Sequence, residues 1–381
     1  MTTFLMWGDA LHHPEMRHEI AEAVADPVGF LDHDGRRIVV GSVLERSIFE
    51  AREDVVDEFW TFESLGRSEL VADPHFPREL IEPEIARRAL ARLDVDAAVV
   101  PPSFSVLAAD HLRAHGVTLT VDPHGWPRRR RRKSPWELEG IERAQRAADT
   151  AMLTAARMLR EAQPTPDGRL RFEGEILTAE LVREAMVADL LSQGAECEQV
   201  LVHSGDACLT GHELGRGPIL PHTSCIIDCF PRERRSGVYT DMTRTFVPGG
   251  DPSEELVVLH RAVREALDVA LESLRPGRAD AFERVAELFE SRGWPTQRTH
   301  AGDEPLQEGF LHGLGHGVGL QVHEPPALGR RSEELAAGDV VAVEPGLYFP
   351  GVGGVRLEDT VLITDDGFEH LTDPLPYDLD P

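Results

Sequence analysis

Residues 225–246 read CIIDCFPRERRSGVYTDMTRTF, two runs of strand-forming residues around a polar turn. Each run carries one carboxylate, Asp228 after Ile226-Ile227 and Asp241 after Tyr239-Thr240, where acids are normally depleted. A hairpin centred between Arg234 and Arg235 sets Asp228 and Asp241 directly opposite each other on one face, about 4.5–5.5 Å apart at Cβ. Two like charges at that spacing require a cation.

The pattern recurs further along. Glu344 ends Val340-Val341-Ala342-Val343-Glu344, and Glu358 ends Val355-Arg356-Leu357-Glu358. A turn centred on Gly351, after Pro350, sets these two glutamates across from each other, with Arg356 on the face of Glu358 by the two-residue strand period. A lone acid in a strand is ordinarily an exposed residue. Two hairpin pairs in one chain point instead to a built site.

His316 lies in His312-Gly313-Leu314-Gly315-His316-Gly317-Val318-Gly319-Leu320, where glycines allow close backbone approach and leave the imidazole accessible. A dinucleotide-binding loop would follow a strand and open a helix, whereas this run leads into Gln321-Val322-His323-Glu324-Pro325-Pro326, which cannot continue one. Four carboxylates and one imidazole suit Mn²⁺, Co²⁺, Fe²⁺ or Zn²⁺, and four negative charges balance two divalent ions. Such a pair, about 3.5–4 Å apart, activates water near neutral pH and polarises a carbonyl.

Helix signals place these hairpins. Ser134-Pro135-Trp136-Glu137 is a capping box with proline at the first helical position, followed by an apolar stripe through Leu138, Ile141, Ala148, Met152, Ala155 and Leu159. A second helix is expected over 178–191 and strands over 199–203, 224–229 and 238–246. Asp251-Pro252-Ser253-Glu254 repeats the cap, a long helix runs towards Pro276-Gly277, and another opens at Asp280; strands are expected over 317–322, 340–348 and 355–364. The order predicts two like halves, helices covering a curved, largely antiparallel sheet. Residues 27–121 read as a small α/β unit with a hairpin at Asp34-Gly35. The expected division is an N-terminal domain over 1–122, a Pro/Arg-rich linker over 123–133 and a catalytic domain over 134–381.

The chain has 381 residues, 41% of them apolar, and a net charge of -28, which suits a two-domain protein and argues against nucleic acid or membrane as a partner. The basic run 128–133 reads as a solvated linker. No stretch is long enough to span a bilayer, and residues 1–20 do not resemble a secretory signal, so a cytoplasmic location is expected. Cys197, Cys208, Cys225 and Cys229 form no CxxC pair and read as buried free thiols.

The segments IID, YTDMTRTF, GLGHGVGL, VHEPP, VEPGLY and GVRLEDT closely resemble, in order, those of the M24 metallopeptidases of pita-bread fold: methionine, Xaa-Pro aminopeptidases and Xaa-Pro dipeptidases (prolidases), with creatinase a metal-free relative. The resemblance covers roughly residues 134–370. It implies an α+β pita-bread domain with a smaller N-terminal α/β domain. It also implies that Asp228 holds one metal, Asp241 and Glu358 bridge both, and His316 and Glu344 hold the other.

By the same resemblance, His212, His312 and His323 surround the substrate, with His222 a competitor for the first place. Glu344 passes the proton, His323 or His212 assists at the carbonyl, and Arg356 orients Glu358. Manganese leads the candidate metals. The N-terminal domain favours the Xaa-Pro branch, a homodimer is implied, and dipeptidase is preferred over Xaa-Pro aminopeptidase, with Arg330 and Arg331 as candidates to meet a dipeptide's carboxylate. A metal-free creatinase-like hydrolase and a non-catalytic scaffold are disfavoured because all five ligand types are present. Two departures stand out: Asp228 and Asp241 are two positions further apart than is usual, and Cys229-Phe230-Pro231 replaces a glycine-containing segment, which alters the pocket wall.

Overall fold

The computed structural model describes residues 2–211, 213–302 and 304–381, and the chain separates into two compact units, Met1–Arg130 and Arg131–Pro381. The first is a six-stranded mixed sheet, in the order Glu58–Thr61, Arg36–Gly41, Val28–His33, Thr3–Gly8, Ala97–Val100, Thr118–Val121. Alternation along the strands sorts the core onto two faces. Leu5, Leu31, Ile38 and Val40 pack with the helices Ile81–Arg92 and Val106–Ala114, while Met6, Phe30 and Val39 pack with Met16, Ile20 and Trp126.

The Asp34-Gly35 turn joins its two strands as expected, both residues with positive φ (52° and 85°) and His33 paired with Arg36. Thr3–Gly8, an element that the pattern of the first residues does not reveal, is a central strand of the sheet.

The basic segment departs from its reading as solvated. Gly125–Arg131 is a helix whose Trp126 and Arg130 are buried. Arg129 lies over the rings of Phe4 and Trp126 and pairs with Glu19 and Asp32. In the second unit, Arg131 pairs with the buried Asp339, and Lys133 Nζ sits 2.6 Å from Glu324 Oε1, both side chains almost fully enclosed. Local composition marks this run as polar, but its acidic partners lie far away in sequence.

In the second unit, the capping box at Ser134 starts the helix Pro135–Glu161, and Thr178 caps Ala179–Ser192. Their apolar faces cover a three-stranded sheet of Val200–Ser204, Cys225–Cys229 and Met242–Phe246. The helices Glu254–Ser273 and Ala281–Ser291 cover a second sheet in the same way, ordered Glu324–Leu328, Gly315–Gly317, Val340–Val343, Asp359–Ile363, Phe368–His370. A bridge between Thr243 and Glu358 joins the two sheets.

The strand expected over 317–322 is displaced: pairing occupies Gly315–Gly317 and resumes at Glu324–Leu328. A Cβ on Gly315 would lie 2.0 Å from the Ala342 carbonyl oxygen, and one on Gly317 2.3 Å from that of Pro325. The alternating glycines therefore serve close strand packing around His316.

Candidate metal centre

The two hairpins meet their expectations differently. In the second, Val343 faces Asp359 and Gly346 faces Arg356, the register that puts Glu344 across from Glu358. Regular strand structure is interrupted at both glutamates, because Glu344 N–H bonds to Leu314 O and Glu358 N–H to Thr243 O. In the first hairpin, Asp228 faces Thr243 instead of Asp241, and Cys229 faces Met242. The register is thus two residues away from the expected one. An even shift keeps both aspartates on the same face, now as diagonal neighbours about 7–8 Å apart by strand geometry. The cause is the turn: Arg232 bridges Tyr239 and Glu233 N–H bonds to Val238 O, which places the tip beyond Arg235.

These elements bring Asp228, Asp241, His316, Glu344 and Glu358 to the wall of one cavity of about 500 Å³. Asp241, His316 and Glu358 offer ligand atoms all within 4.8 Å of one another. His316 Nε2 is 3.8 Å from Asp241 Oδ2 and 3.9 Å from Glu344 Oε1, while its Nδ1 donates to the Gly317 carbonyl at 3.2 Å. That bond turns Nε2 towards the carboxylates. Burial, with His323 nearby, pulls the His316 pKa down to about 4, so the ring is neutral.

Four carboxylates share the space with one guanidinium. Arg356 donates to Asp228 Oδ2, lies 3.9 Å from Glu344 Oε2, and reaches Thr243 Oγ1 at 3.2 Å and Tyr348 OH at 3.3 Å. It was expected to orient Glu358; its direct carboxylate partner is Asp228, and Thr243 Oγ1 instead donates to Glu358 Oε2 at 2.6 Å. Burial and the neighbouring acids hold the Asp241 and Glu358 carboxyls well above the usual range, and burial pushes Glu344 up to about 7.

Three carboxylate oxygens, Asp228 Oδ1, Asp241 Oδ1 and Glu358 Oε1, are buried without a hydrogen-bond donor among the described residues. An unsatisfied buried carboxylate is costly, and cations remove that cost. The donor set therefore fits divalent ions, as its oxygen-rich chemistry requires.

The flanking residues follow. His323 lines the cavity, its ring 4.3 Å from that of His316. His312 also lines it, but its Nδ1 donates to Gly313 O at 2.7 Å and its Nε2 bonds to Tyr348 OH at 2.9 Å. His212 lies outside the described residues; the adjacent Gly211 lines the cavity. His222 bonds to Gly250 O and is not part of the lining. Arg330 and Arg331 are exposed and likewise outside it.

Residues missed from sequence are Thr243 and Tyr348, together with the wall residues Gln199 and Leu201, whereas Phe230, already singled out, does line the wall. The two-residue period could have found the first two, since Thr243 follows Asp241 and Tyr348 follows Glu344 on the same faces.

An enclosed set of carboxylates around a neutral imidazole, with unpartnered oxygens facing one cavity, defines a site of the metallohydrolase class. The chain belongs to metallopeptidase family M24, whose sequence profile matches residues 139–365. An Xaa-Pro dipeptidase of Pyrococcus furiosus is 41% identical over 136 residues, which are 35% of this chain and 35% of that protein. The chain thus matches about a third of the length of its curated relatives.

Solved structures match over almost the whole chain. An Xaa-Pro dipeptidase from Bacillus anthracis has a TM-score of 0.76 at 20% identity, covering 99% of this chain and 94% of that one. An X-Pro aminopeptidase from Thermotoga maritima has a TM-score of 0.75 at 20% identity, covering 99% and 97%. The fold is the α+β pita-bread fold of these neighbours.

Proposed function

We propose that this chain is an Xaa-Pro dipeptidase, hydrolysing the bond between an N-terminal residue and proline with two divalent ions held by Asp228, Asp241, His316, Glu344 and Glu358. The observation that carries the hydrolytic reading is the group of buried carboxylate oxygens without donors around His316. The substrate class is supported by the Xaa-Pro dipeptidase relative from Pyrococcus furiosus.

When bound, the ions supply an activated water and a Lewis acid for the scissile carbonyl. The chain's own residues do the rest. Arg356 holds Asp228 by charge-assisted hydrogen bonding, and Thr243 fixes Glu358, so neither carboxylate has to reorganise during reaction. Glu344 Oε carries the proton to the leaving proline nitrogen. His323, on the cavity wall beside His316, donates to the carbonyl oxygen as negative charge develops there. His212 is the second candidate for that role. His312, held by Tyr348, shapes the substrate side of the cavity.

The same reading takes Mn²⁺ as the ion, a homodimer as the assembly and the cytoplasm as the location; among the described residues no helix is long and apolar enough to cross a membrane. It keeps residues 1–122 as an N-terminal domain and 134–381 as the catalytic domain.

A specific observation favours a second reading, Xaa-Pro aminopeptidase. Arg356 is the one Arg or Lys among the described lining residues, and it is engaged by Asp228, so a dipeptide's carboxylate meets no cation from Arg330 or Arg331. Hydrolysis of Ala-Pro beside Ala-Pro-Ala with Mn²⁺ decides between them. Higher kcat/KM on Ala-Pro is expected; faster cleavage of the tripeptide would move the assignment to the aminopeptidase, and full activity after chelation would overturn both.

A further inference from the structure

The first unit brings together a second set of side chains able to ligate a metal, none of which lines the cavity described above. Glu84 lies on the helix Ile81–Arg92, His111 on the helix Val106–Ala114, and His115 directly follows that helix. Four positions are about one helical turn, so both imidazoles leave the same side, and their ring centroids are 4.4 Å apart. The two helices share one core, through Ile85, Ala89, Ala108 and Leu112. One ligand atom from each of Glu84, His111 and His115 lies within 4.8 Å of the other two.

Hydrogen bonds prepare each of these groups. His115 Nδ1 donates to the His111 carbonyl oxygen at 2.7 Å, so the lone pair of that ring is on Nε2. His111 Nε2 is 3.0 Å from Glu84 Oε2, and the two side chains are only 7% and 9% exposed. Arg87 donates to both Glu84 oxygens at 2.8 Å, and Arg88 Nε donates to Oε1 at 3.1 Å. A carbonyl behind one imidazole and fixed donors on the carboxylate are the outer partners that orient metal ligands. The guanidiniums also repel a cation, which weakens binding without closing the site; Arg88 is in turn 3.5 Å from Glu69 Oε2.

We propose that Glu84, His111 and His115 form a Zn²⁺-binding site in the first unit, with water in the fourth position. Two imidazoles and a carboxylate are a donor set that suits Zn²⁺ in tetrahedral coordination. Two ligand atoms about 2.0–2.1 Å from one tetrahedral ion are roughly 3.3–3.4 Å apart, so the His111 and Glu84 pair has to open by only a few tenths of an ångström. The ion takes the place of the hydrogen between Nε2 and Oε2, and the His111 ring carries its proton on Nδ1. Because His115 is exposed, its ring completes the site from the solvent side. The bound ion ties the end of one helix to the other.

The test uses the whole chain, dialysed to equilibrium against Zn²⁺ and assayed for bound metal by mass spectrometry. His115→Gln changes an exposed residue and leaves the core intact; it should hold about one Zn²⁺ fewer per chain than the parent, and His111→Gln should show the same loss. Zn²⁺ should also raise Tm less in His115→Gln than in the parent. His12→Gln, at a surface histidine whose side chain is 79% exposed, should lose no Zn²⁺. Equal Zn²⁺ content in the parent and His115→Gln, or the same loss in His12→Gln, would overturn the proposal. The difference between parent and variant does not depend on how many ions the cavity holds, so the result stands apart from the hydrolytic reading.

Discussion

Replacing Glu324 by Gln tests how the buried ion pair beside His323 supports the fold. The Lys133 and Glu324 side chains are 1% and 2% exposed and 2.6 Å apart, so no bulk water is available to take over either charge. Glu324 Oε2 also accepts from Gln321 N–H at 3.3 Å, at the start of the turn that carries His323. The glutamine keeps the shape and removes the charge, which leaves an enclosed ammonium without the anion it touches. Breaking a buried pair from one side costs about 3–5 kcal/mol, whereas replacing both partners by apolar groups is often neutral. At roughly 2–4 °C per kcal/mol for a unit of this size, Glu324→Gln should lower Tm by roughly 6–20 °C. Lys133→Met combined with Glu324→Leu should recover most of that loss. Thermal unfolding followed by circular dichroism, with urea titration of the same variants, supplies both numbers. A loss below about 1 kcal/mol, or a double variant no better than the sum of the single ones, would refute the claim that this pair is desolvated and coupled.

Asp241→Asn should lower metal occupancy and turnover more than His323→Ala does, yet stabilise the metal-free chain at pH 7.5 by about 1–3 kcal/mol, because it removes a buried charge facing Glu358, Asp228 and Glu344; equal metal content by mass spectrometry in variant and parent would count against its role. The metal-free chain should also be more stable at pH 5.5 than at pH 7.5. Glu344 titrates at about 7 in the folded chain against an ordinary 4.5, so it binds its proton more tightly when folded; the stabilisation is complete below 4.5 and is lost as pH rises through 7, a span worth about 2–4 kcal/mol. Urea midpoints after chelation check the sign, and a metal-free chain that gains stability over that range contradicts it. Glu344→Gln should reduce kcat by at least about 100-fold while the circular-dichroism spectrum stays that of the parent; near-parental activity would place the proton carrier elsewhere.

What could be read from the chain in advance depended on how local the deciding interaction is. The Glu344 and Glu358 pairing rests on a turn at Gly351, whose positive φ of 82° is signalled by the glycine itself, and its register came out as the local pattern requires. The Asp228 and Asp241 pairing came out two residues away, because the tip of that hairpin is fixed from outside. Arg232–Glu233 is held against Ala195–Glu196, a partner that residues 225–246 do not reveal. The face of each acid was nonetheless legible, since strand alternation survives any even shift.

The same distinction separates the other outcomes. The cap at Ser134 is local and appears as expected, whereas the later helix starts two residues further on than the Asp251-Pro252 pattern suggests, with Ser253 as its cap. Arg129, Arg131 and Lys133 looked solvated because Glu19, Asp339 and Glu324 lie about 110 to 208 positions away in the chain. Arg356 was assigned to Glu358 by the resemblance to M24 metallopeptidases, whereas folding places Asp228 against it and gives Glu358 to Thr243. The ligand residue types could therefore be chosen from the chain alone, because burying four acids on strands needs a reason that each strand displays. Which carboxylate each supporting side chain holds could not, because Thr243 and Arg356 reach Glu358 and Asp228 from different strands, brought together at the junction of the two sheets.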